Sequence, residues 1–240
     1  MEQVPIKNKP YLIVGNGRMA SHLVNYFSML NIDFHQWRRK DNLPIEPYIK
    51  FSNKILLAIS DDSIDSVSRT IPNKLKIHFS GVLSIKSAES AHPLFTFGLS
   101  LNNINDYEEI SFITEKGRKG FKELFPELKN SSYEISKDEK PIYHAWASMV
   151  GNFSSILISE YSKVLKKLSL PISIADPYLK QVIKNSLYDI NALTGPIIRG
   201  DTKTIEKHLI SIDKDFEPIY RSFVELIEKR KKYETDSRNN

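Results

Sequence analysis

The fold is decided by residues 11–20, which read YLIVGNGRMA. The first residues form a short apolar run that predicts a buried β-strand, and the glycines that follow predict a tight turn. From Met19 onward, apolar side chains recur with helical spacing at Leu23, Phe27 and Leu30, so the turn opens a helix. A second strand is predicted over residues 32–37. Strand, helix and strand together form the βαβ unit of a parallel sheet.

The glycine turn matches the dinucleotide-binding spacing G-x-G-x-x-G, with alanine in the third place. Gly15 permits the turn, Gly17 lets the backbone approach a pyrophosphate, and Ala20 stands where the helix packs closely on the sheet. The helix N-terminus offers free backbone N–H groups and the positive end of its dipole. Cofactor contacts are therefore predicted at Gly15, Asn16, Gly17, Arg18, Met19 and Ala20. The alternative is an ordinary strand-to-helix turn without a ligand.

The end of the second strand separates NADP from NAD. An acidic residue there accepts hydrogen bonds from the ribose hydroxyls of NAD and repels a 2′-phosphate. This chain has no acidic residue there and instead reads Arg38-Arg39-Lys40, a cationic cluster that suits a 2′-phosphate. Arg38 and Arg39 are therefore predicted to select NADP, unless they are solvated loop charges. Ser60, after a strand predicted over residues 55–59, is placed with the cofactor contacts because ligands gather at the carboxyl ends of parallel strands.

The rest of the pattern predicts two domains. Further strands are expected over residues 75–79, 94–97 and 110–114, with helices over 62–70 and near 117–126. From residue 142 onward nearly everything has helical period, with a first helix over residues 142–168 and a second that Asp176 caps. The predicted fold class is α/β: an N-terminal, doubly wound parallel sheet of Rossmann type over residues 1–138, followed by an all-helical C-terminal domain over residues 139–240.

Composition excludes several classes of protein. The 240 residues include no Cys, which excludes disulfide frameworks and thiolate sites, and no motif predicts a metal ion. The net charge of +5 is spread along the chain, so no nucleic-acid partner is expected. No apolar run approaches the ~18 residues of a membrane span, and the first residues lack the apolar core of a signal peptide. We therefore expect a cytoplasmic protein that binds no membrane.

Several segments carry a resemblance to a known family. They are the glycine turn, Ala91-His92-Pro93-Leu94, the stretch from Tyr143-His144-Ala145 to Asn152, and Leu193-Thr194-Gly195-Pro196 followed by Arg199-Gly200-Asp201. The chain resembles Rossmann-like NADP oxidoreductases whose helical C-terminal domain is similar to that of 6-phosphogluconate dehydrogenase. It looks most like the short, alternative type of ketopantoate reductase (2-dehydropantoate 2-reductase), whose classical members use a helical Lys as proton donor. Here Lys140 lies just before the predicted helix.

The resemblance implies reduction of ketopantoate to pantoate with NADPH, in pantothenate and coenzyme A biosynthesis. The helical domain is expected to close the substrate cleft, and its apolar stripes, which exceed what one small bundle can bury, predict a homodimer. One alternative is an imine reductase that resembles pyrroline-5-carboxylate reductases. Another is a sensor that binds NADP without turnover. A panel of substrates separates these three functions.

Reduction of a 2-keto acid requires a hydride donor, a hydrogen-bond donor or acid at the carbonyl oxygen, and a partner for the carboxylate. His144, Ser148 and Asn152 are spaced four residues apart and form a polar line on the predicted helix. We expect His144 near the carbonyl, Asn152 holding the substrate, Arg199 pairing with the carboxylate, and His92 bordering the nicotinamide. The alternatives are hydrogen-bonded helix packing for the line and a turn-capping role for His92.

Overall fold

The computed structural model of the protein describes residues 9–71, 73–189 and 193–238. The chain divides into two compact units, Met1–Ser159 and Glu160–Asn240. In the described ranges all strands belong to the first unit, and the elements of the second unit are helical. The fold class is therefore the predicted one, an α/β sheet domain followed by helices.

The first unit is built on a seven-stranded sheet. Its strands are β1 (Tyr11–Val14), β2 (Phe34–Trp37), β3 (Lys54–Leu57), β4 (Leu75–His78), β5 (Glu89–Pro93), β6 (Phe112–Glu115) and β7 (Ser132–Ile135). Their order in the sheet is β2-β1-β3-β4-β5-β6-β7. The first five strands are parallel to one another. β2 lies on one side of β1, and β3 lies on the other side. The direction in which successive strands are added to the sheet therefore reverses between β1 and β3, which is the position where open α/β sheets bind their ligands.

The described helices follow the chain as α1 (Arg18–Met29), α2 (Glu46–Phe51), α3 (Asp61–Thr70), α4 (Ile104–Glu108), α5 (Phe121–Leu124), α6 (Lys140–Ser148), α7 (Ser154–Lys167), α8 (Ala175–Tyr188), α9 (Pro196–Arg199), α10 (Thr202–Ser211) and α11 (Glu217–Arg238). A π-helical turn, Met149–Phe153, joins α6 to α7. The division between the two compact units falls inside α7.

The sheet is buried on both faces because alternate residues of a strand point to opposite sides. Tyr11 and Ile13 share one buried cluster with Phe27 of α1. Leu12 and Val14 share another with Ile64 of α3. The uninterrupted apolar run of β1 is thus explained by helices on both sides of the sheet.

Three sequence-based expectations about the sheet need correction. The strand predicted over residues 94–97 lies earlier, at Glu89–Pro93, and the apolar Leu94 and Phe95 that suggested it are exposed. The sheet is mixed, because β6 runs antiparallel to β5. An antiparallel neighbour needs no crossover connection. The sequence analysis missed β7, whose side chains are mostly exposed, so it has no apolar run to mark it.

The helical region also departs from expectation in its details. Asp176 does not cap α8, because a 3-10 turn at Ile172–Ile174 runs directly into the helix and the backbone is already helical before residue 176. The helix predicted over residues 142–168 contains the π-helical turn. The last strand ends at Ile135 and every described element from α6 on is helical. The functional boundary at 138/139 stays a prediction.

Gly15 occupies a position that no other residue fits. Its φ is +140°, and a Cβ there would lie 2.1 Å from the carbonyl oxygen of Ala58, which follows β3. Its N–H donates to the Trp37 carbonyl at 3.1 Å, and its carbonyl accepts from Gln36 Nε2 at 3.0 Å. The turn is therefore clamped between the ends of β2 and β3.

Replacement of Gly15 by Ala should lower the free energy of unfolding by more than about 2 kcal/mol, because strain at positive φ adds to the clash with Ala58. The matched control is Gly17→Ala, where a Cβ meets no atom within 4 Å and φ is −82°. That change should cost less than about 1 kcal/mol. Urea unfolding measures both, and equal losses for the two variants would contradict the assignment.

Candidate functional site

A cavity of about 860 Å³ opens at the carboxyl ends of the parallel strands. Its size suits a cofactor or a drug-sized ligand. The predicted site residues that line it are Gly15, Asn16, Gly17, Arg18, Met19, Arg39, Ser60 and His92. The remaining predicted residues of this unit, Ala20, Arg38, His144, Ser148 and Asn152, are not among those lining it, and Arg199 belongs to the second unit. The predicted cofactor contacts thus contribute more of the cavity wall than the predicted catalytic residues of the same unit.

The turn after β1 has an open, exposed backbone. Gly17 is exposed and has no atom within 4 Å of its Cβ position, which leaves room for a pyrophosphate against the backbone. It precedes α1, whose first turn holds no acidic residue and whose N-cap makes no side-chain hydrogen bond. The N–H groups and dipole at this helix end therefore remain available to an anion. Ala20 is fully buried, as the close packing of α1 on the sheet requires.

The cations after β2 are divided between two roles. Arg39 and Lys40 are exposed and line the cavity. Arg38 does not line it, and its Nε donates to Asp41 Oδ2 at 2.7 Å. An acidic residue after β2 thus exists, but its carboxylate is bound to Arg38. Of the two arginines predicted to select NADP, Arg39 therefore lines the cavity, with Lys40 beside it, and Arg38 does not.

A second helix N-terminus borders the cavity. Ser60 is the N-cap of α3, and its hydroxyl lies 3.1 Å from that of Ser63. Asp61, in the first turn of α3, accepts a hydrogen bond of 2.5 Å from the buried Ser80 hydroxyl. The Ser80 oxygen in turn accepts the backbone N–H of Val82 at 3.3 Å. This network braces the loop after β4 at the cavity wall.

Histidine and tyrosine side chains meet at the end of β5. His92 lines the cavity, and its Nδ1 is 2.8 Å from the Tyr143 hydroxyl of α6. The rings of His92 and His144 are perpendicular, with centroids 5.4 Å apart. A Cβ on Gly81 would lie 2.3 Å from His144 Cδ2 and 3.0 Å from His92 Cδ2. The absence of a side chain at Gly81 is what allows both rings to pack there.

The pKa values around His92 favour neutral groups. Burial, together with the nearby His144 and Lys140, lowers the pKa of His92 to about 4. Burial raises the pKa of the Tyr143 hydroxyl to about 12. At neutral pH the cavity therefore meets an uncharged imidazole that is hydrogen-bonded to an uncharged phenol.

Lys140 is a buried cation at the start of α6. Its ammonium donates to the Leu83 carbonyl and to Ser90 Oγ at 2.8 Å, and it pairs with Glu115 at 3.5 Å. Only 3% of its side chain is exposed, and burial lowers its pKa. It does not line the cavity. Because these contacts satisfy all its N–H groups, Lys140 anchors α6 to the sheet and is not placed as the acid of the site.

The other predicted catalytic residues lie on α6, on the turn after it and in the second unit. Ser148 is the last residue of α6, and Asn152 is exposed within the π-helical turn. Because a π-helix has more residues per turn than an α-helix, side chains four residues apart no longer lie in one line there. Arg199 belongs to the second unit, where its guanidinium pairs with Asp201 at 2.7 Å. Asp201 therefore uses its carboxylate on Arg199, and it makes no side-chain hydrogen bond as the N-cap of α10.

The sequence analysis missed part of the wall around His92. Phe79, Phe95 and Phe97 line the cavity there, after the ends of β4 and β5. It also missed the contact of Tyr143 with His92. A signal for that contact exists, because Lys140, Tyr143 and His144 lie three and four residues apart and share one face of a helix.

In the described part of the chain, no group of three or more His, Asp or Glu side chains is placed to hold a metal ion. No helix there is both long and apolar enough to cross a membrane.

His78 on β4 should make the protein sensitive to acid. It is fully buried, and burial, with Lys140 and Arg118 nearby, lowers its pKa from 6.5 to about 3. The unfolded chain therefore binds this proton more tightly than the folded chain. The contribution of neutral His78 to the free energy of unfolding is therefore fully present above pH 6.5, and it is lost as the pH falls toward 3. Between pH 7 and 5 the contribution of this residue should fall by about 2 kcal/mol.

Urea unfolding of the wild type and of His78→Asn at both pH values measures this loss. The variant should show a pH dependence weaker by that amount. The matched control His35→Asn changes an exposed histidine on β2 and should keep the pH dependence of the wild type. An unaltered pH dependence in His78→Asn would show that His78 is charged in the folded state.

Comparisons with known proteins agree with this architecture. A family model described as a domain of unknown function, DUF2520, matches residues 111–227. None of the curated proteins is similar enough in sequence to count as a match. Among solved structures, the "putative NADP oxidoreductase BF3122" of Bacteroides fragilis is 19% identical, with a TM-score of 0.75 over 93% of this chain and 99% of its own.

Other solved structures share the fold at lower similarity. The Plasmodium falciparum pyrroline carboxylate reductase, solved with NADP bound, is 17% identical, with a TM-score of 0.58 over 93% of this chain and 97% of its own. The Aspergillus terreus reductive aminase, in complex with NADPH, is 10% identical, with a TM-score of 0.61 over 94% of each chain. At these identities the likeness establishes the fold, a Rossmann-type sheet followed by a helical region.

Proposed function

We propose that the protein is an NADP-dependent oxidoreductase that reduces a small 2-keto acid, with ketopantoate as the leading substrate and pantoate as its product. The observation that carries the cofactor assignment is the cavity itself. It joins an open glycine turn at the N-terminus of α1 to Arg39 and Lys40 after β2. Such a turn is complementary to a pyrophosphate, and the two cations are complementary to a 2′-phosphate.

The residues that would hold NADP divide by the part of the cofactor. The N–H groups at the start of α1 suit the pyrophosphate, Arg39 and Lys40 suit the 2′-phosphate, and His92 stands further along the cavity wall. When bound, NADPH would supply a hydride to the substrate carbon. The chain then has to orient the substrate oxygen and direct a proton to it.

The keto-acid assignment is supported by the resemblance of the chain to alternative ketopantoate reductases. A cyclic imine is the second candidate. It is favoured by the fold shared with a pyrroline carboxylate reductase and a reductive aminase. A sensor that binds NADP without turnover remains the alternative outside enzymes.

Oxidation of NADPH by the purified protein, followed with ketopantoate, other 2-keto acids and cyclic imines, tests the proposal. We expect turnover with ketopantoate, and with NADPH in preference to NADH. Turnover with cyclic imines alone would assign the second candidate. Tight NADPH binding without turnover would assign the sensor, and failure to bind NADPH would contradict the cofactor assignment as well.

Arg39→Ala should weaken NADPH binding about tenfold or more while leaving NADH binding nearly unchanged, because a charge-assisted contact contributes roughly 1.5 to 3 kcal/mol. Arg38→Ala is the matched control. It removes a neighbouring cation that pairs with Asp41 and does not line the cavity. Fluorescence titration of each variant with both cofactors measures the effect. Equal losses for NADPH and NADH in Arg39→Ala would contradict recognition of the 2′-phosphate by this residue.

The remaining roles are part of the same proposal and await experiment. They are substrate binding by Asn152, a position near the carbonyl for His144 and Ser148, pairing of Arg199 with the carboxylate, and association of two copies through the helical domain. Arg199 already has a partner in Asp201, so binding a carboxylate would require it to exchange one anion for another.

A further inference from the structure

The two nitrogens of His92 are in different situations. Nδ1 lies 2.8 Å from the Tyr143 hydroxyl. Nε2 has no hydrogen-bond partner among the described residues. It differs from Nε2 of His78, which also lacks a partner but is completely buried. Because His92 lines the cavity, Nε2 is the nitrogen that remains available to a bound molecule.

The Tyr143 hydroxyl has the His92 nitrogen as its hydrogen-bond partner in the described chain. Its raised pKa, about 12, keeps it protonated. Each of the two possible arrangements leaves one hydrogen without a protein acceptor: that of the hydroxyl if the imidazole donates, and that on Nε2 if the hydroxyl donates. A phenol hydroxyl is a better donor than an imidazole N–H, and the imidazole nitrogen is a better acceptor than the phenol oxygen. The arrangement in which the hydroxyl donates to Nδ1, with the imidazole hydrogen on Nε2, is therefore favoured.

The groups around His92 also oppose a positive charge on it. Lys140 and His144 face it from α6, where Tyr143 is its hydrogen-bonded neighbour. Gly81 in the loop after β4 packs against both histidine rings and brings no charge. A neutral imidazole with one hydrogen is therefore the form that the surroundings favour.

We propose that Tyr143 is a positioning residue that donates its hydroxyl hydrogen to Nδ1 of His92, so that the neutral imidazole presents its Nε2 hydrogen to the cavity. The role of that hydrogen rests on the proposed function: it donates to the substrate oxygen while the hydride adds to carbon. An iminium nitrogen carries its own hydrogen and has no lone pair for such a donor. The arrangement therefore selects a carbonyl over a protonated imine.

Long-range proton–nitrogen NMR spectra of the protein with isotope-labelled histidine read the tautomer directly. The chain has six histidines, and the signals of His92 are those lost in His92→Gln. We expect the wild type to show the form with hydrogen on Nε2, without titration from about pH 8 to about pH 5.5, where an ordinary histidine titrates. The form with hydrogen on Nδ1 in the wild type would overturn the proposal, without need of any variant.

Tyr143→Phe removes the hydroxyl and should convert His92 into a mixture of tautomers. The matched control is Tyr220→Phe, because the Tyr220 hydroxyl lies at the same distance, 2.8 Å, from Nδ1 of His208 in the second unit. That control should alter the signals of His208 and leave those of His92 unchanged. An unchanged His92 tautomer in folded Tyr143→Phe would also overturn the proposal.

Kinetics give a second measurement. In Tyr143→Phe, kcat with ketopantoate should fall by up to about a hundredfold, the loss expected when one such donor is misplaced. NADPH affinity should stay within about twofold of the wild type, because Tyr143 does not line the cavity. If the wild type reduces no carbonyl, the proposed function fails, while the NMR result still decides the tautomer. Wild-type kcat in Tyr143→Phe would refute the positioning role.

Discussion

The close approach of Gly15 to the Ala58 carbonyl is the constraint on which the rest of the site depends. A side chain at position 15 would overlap that oxygen, so only glycine lets the ends of β1 and β3 converge. Their convergence brings the N-termini of α1 and α3 to one cavity, lined on one side by Gly17 and on the other by Ser60. The first turn of α1 holds no acidic residue, so its dipole raises the potential there, whereas Asp61 and Asp62 in the first turn of α3 offset the dipole of that helix. This side of the cavity is thus a consequence of backbone geometry more than of cationic side chains.

The other side of the cavity depends on a buried ion pair. Placing the Lys140 ammonium inside the sheet domain is costly unless its hydrogen bonds are satisfied, and Glu115, Ser90 and the Leu83 carbonyl satisfy them. Once Lys140 is held there, the next turn of α6 places Tyr143 on the same face, against β5. The anchor of the helix therefore determines the surroundings of the histidine at the cavity wall.

Local signals explain what could be predicted from the sequence, and long-range contacts explain what could not. The β1–α1 turn was recognisable because its apolar run, glycines and helical spacing all lie within residues 11–30. β5 was misplaced because its segment has few apolar residues and is stabilised by the strands on either side. Arg38 could not be separated from Arg39 without the ion pair to Asp41. Tyr143 meets His92 across 51 residues of chain, a contact that spacing alone does not reveal.

The electrostatics of the cavity decide which role of His92 costs least. With a pKa of about 4, roughly one molecule in a thousand carries a charged His92 at neutral pH, so reaction through the imidazolium would add about 4 kcal/mol to the barrier. Donation of a hydrogen bond from the neutral ring carries no such penalty, and it stabilises negative charge as that charge develops on the substrate oxygen. In the proposed reduction, the proton that completes the reaction then comes at lowest cost from water or another group. Burial is the main cause of the lowered pKa of His92, and His144 and Lys140 add to it. Burial of a histidine can in this way favour a hydrogen-bond donor over an acid.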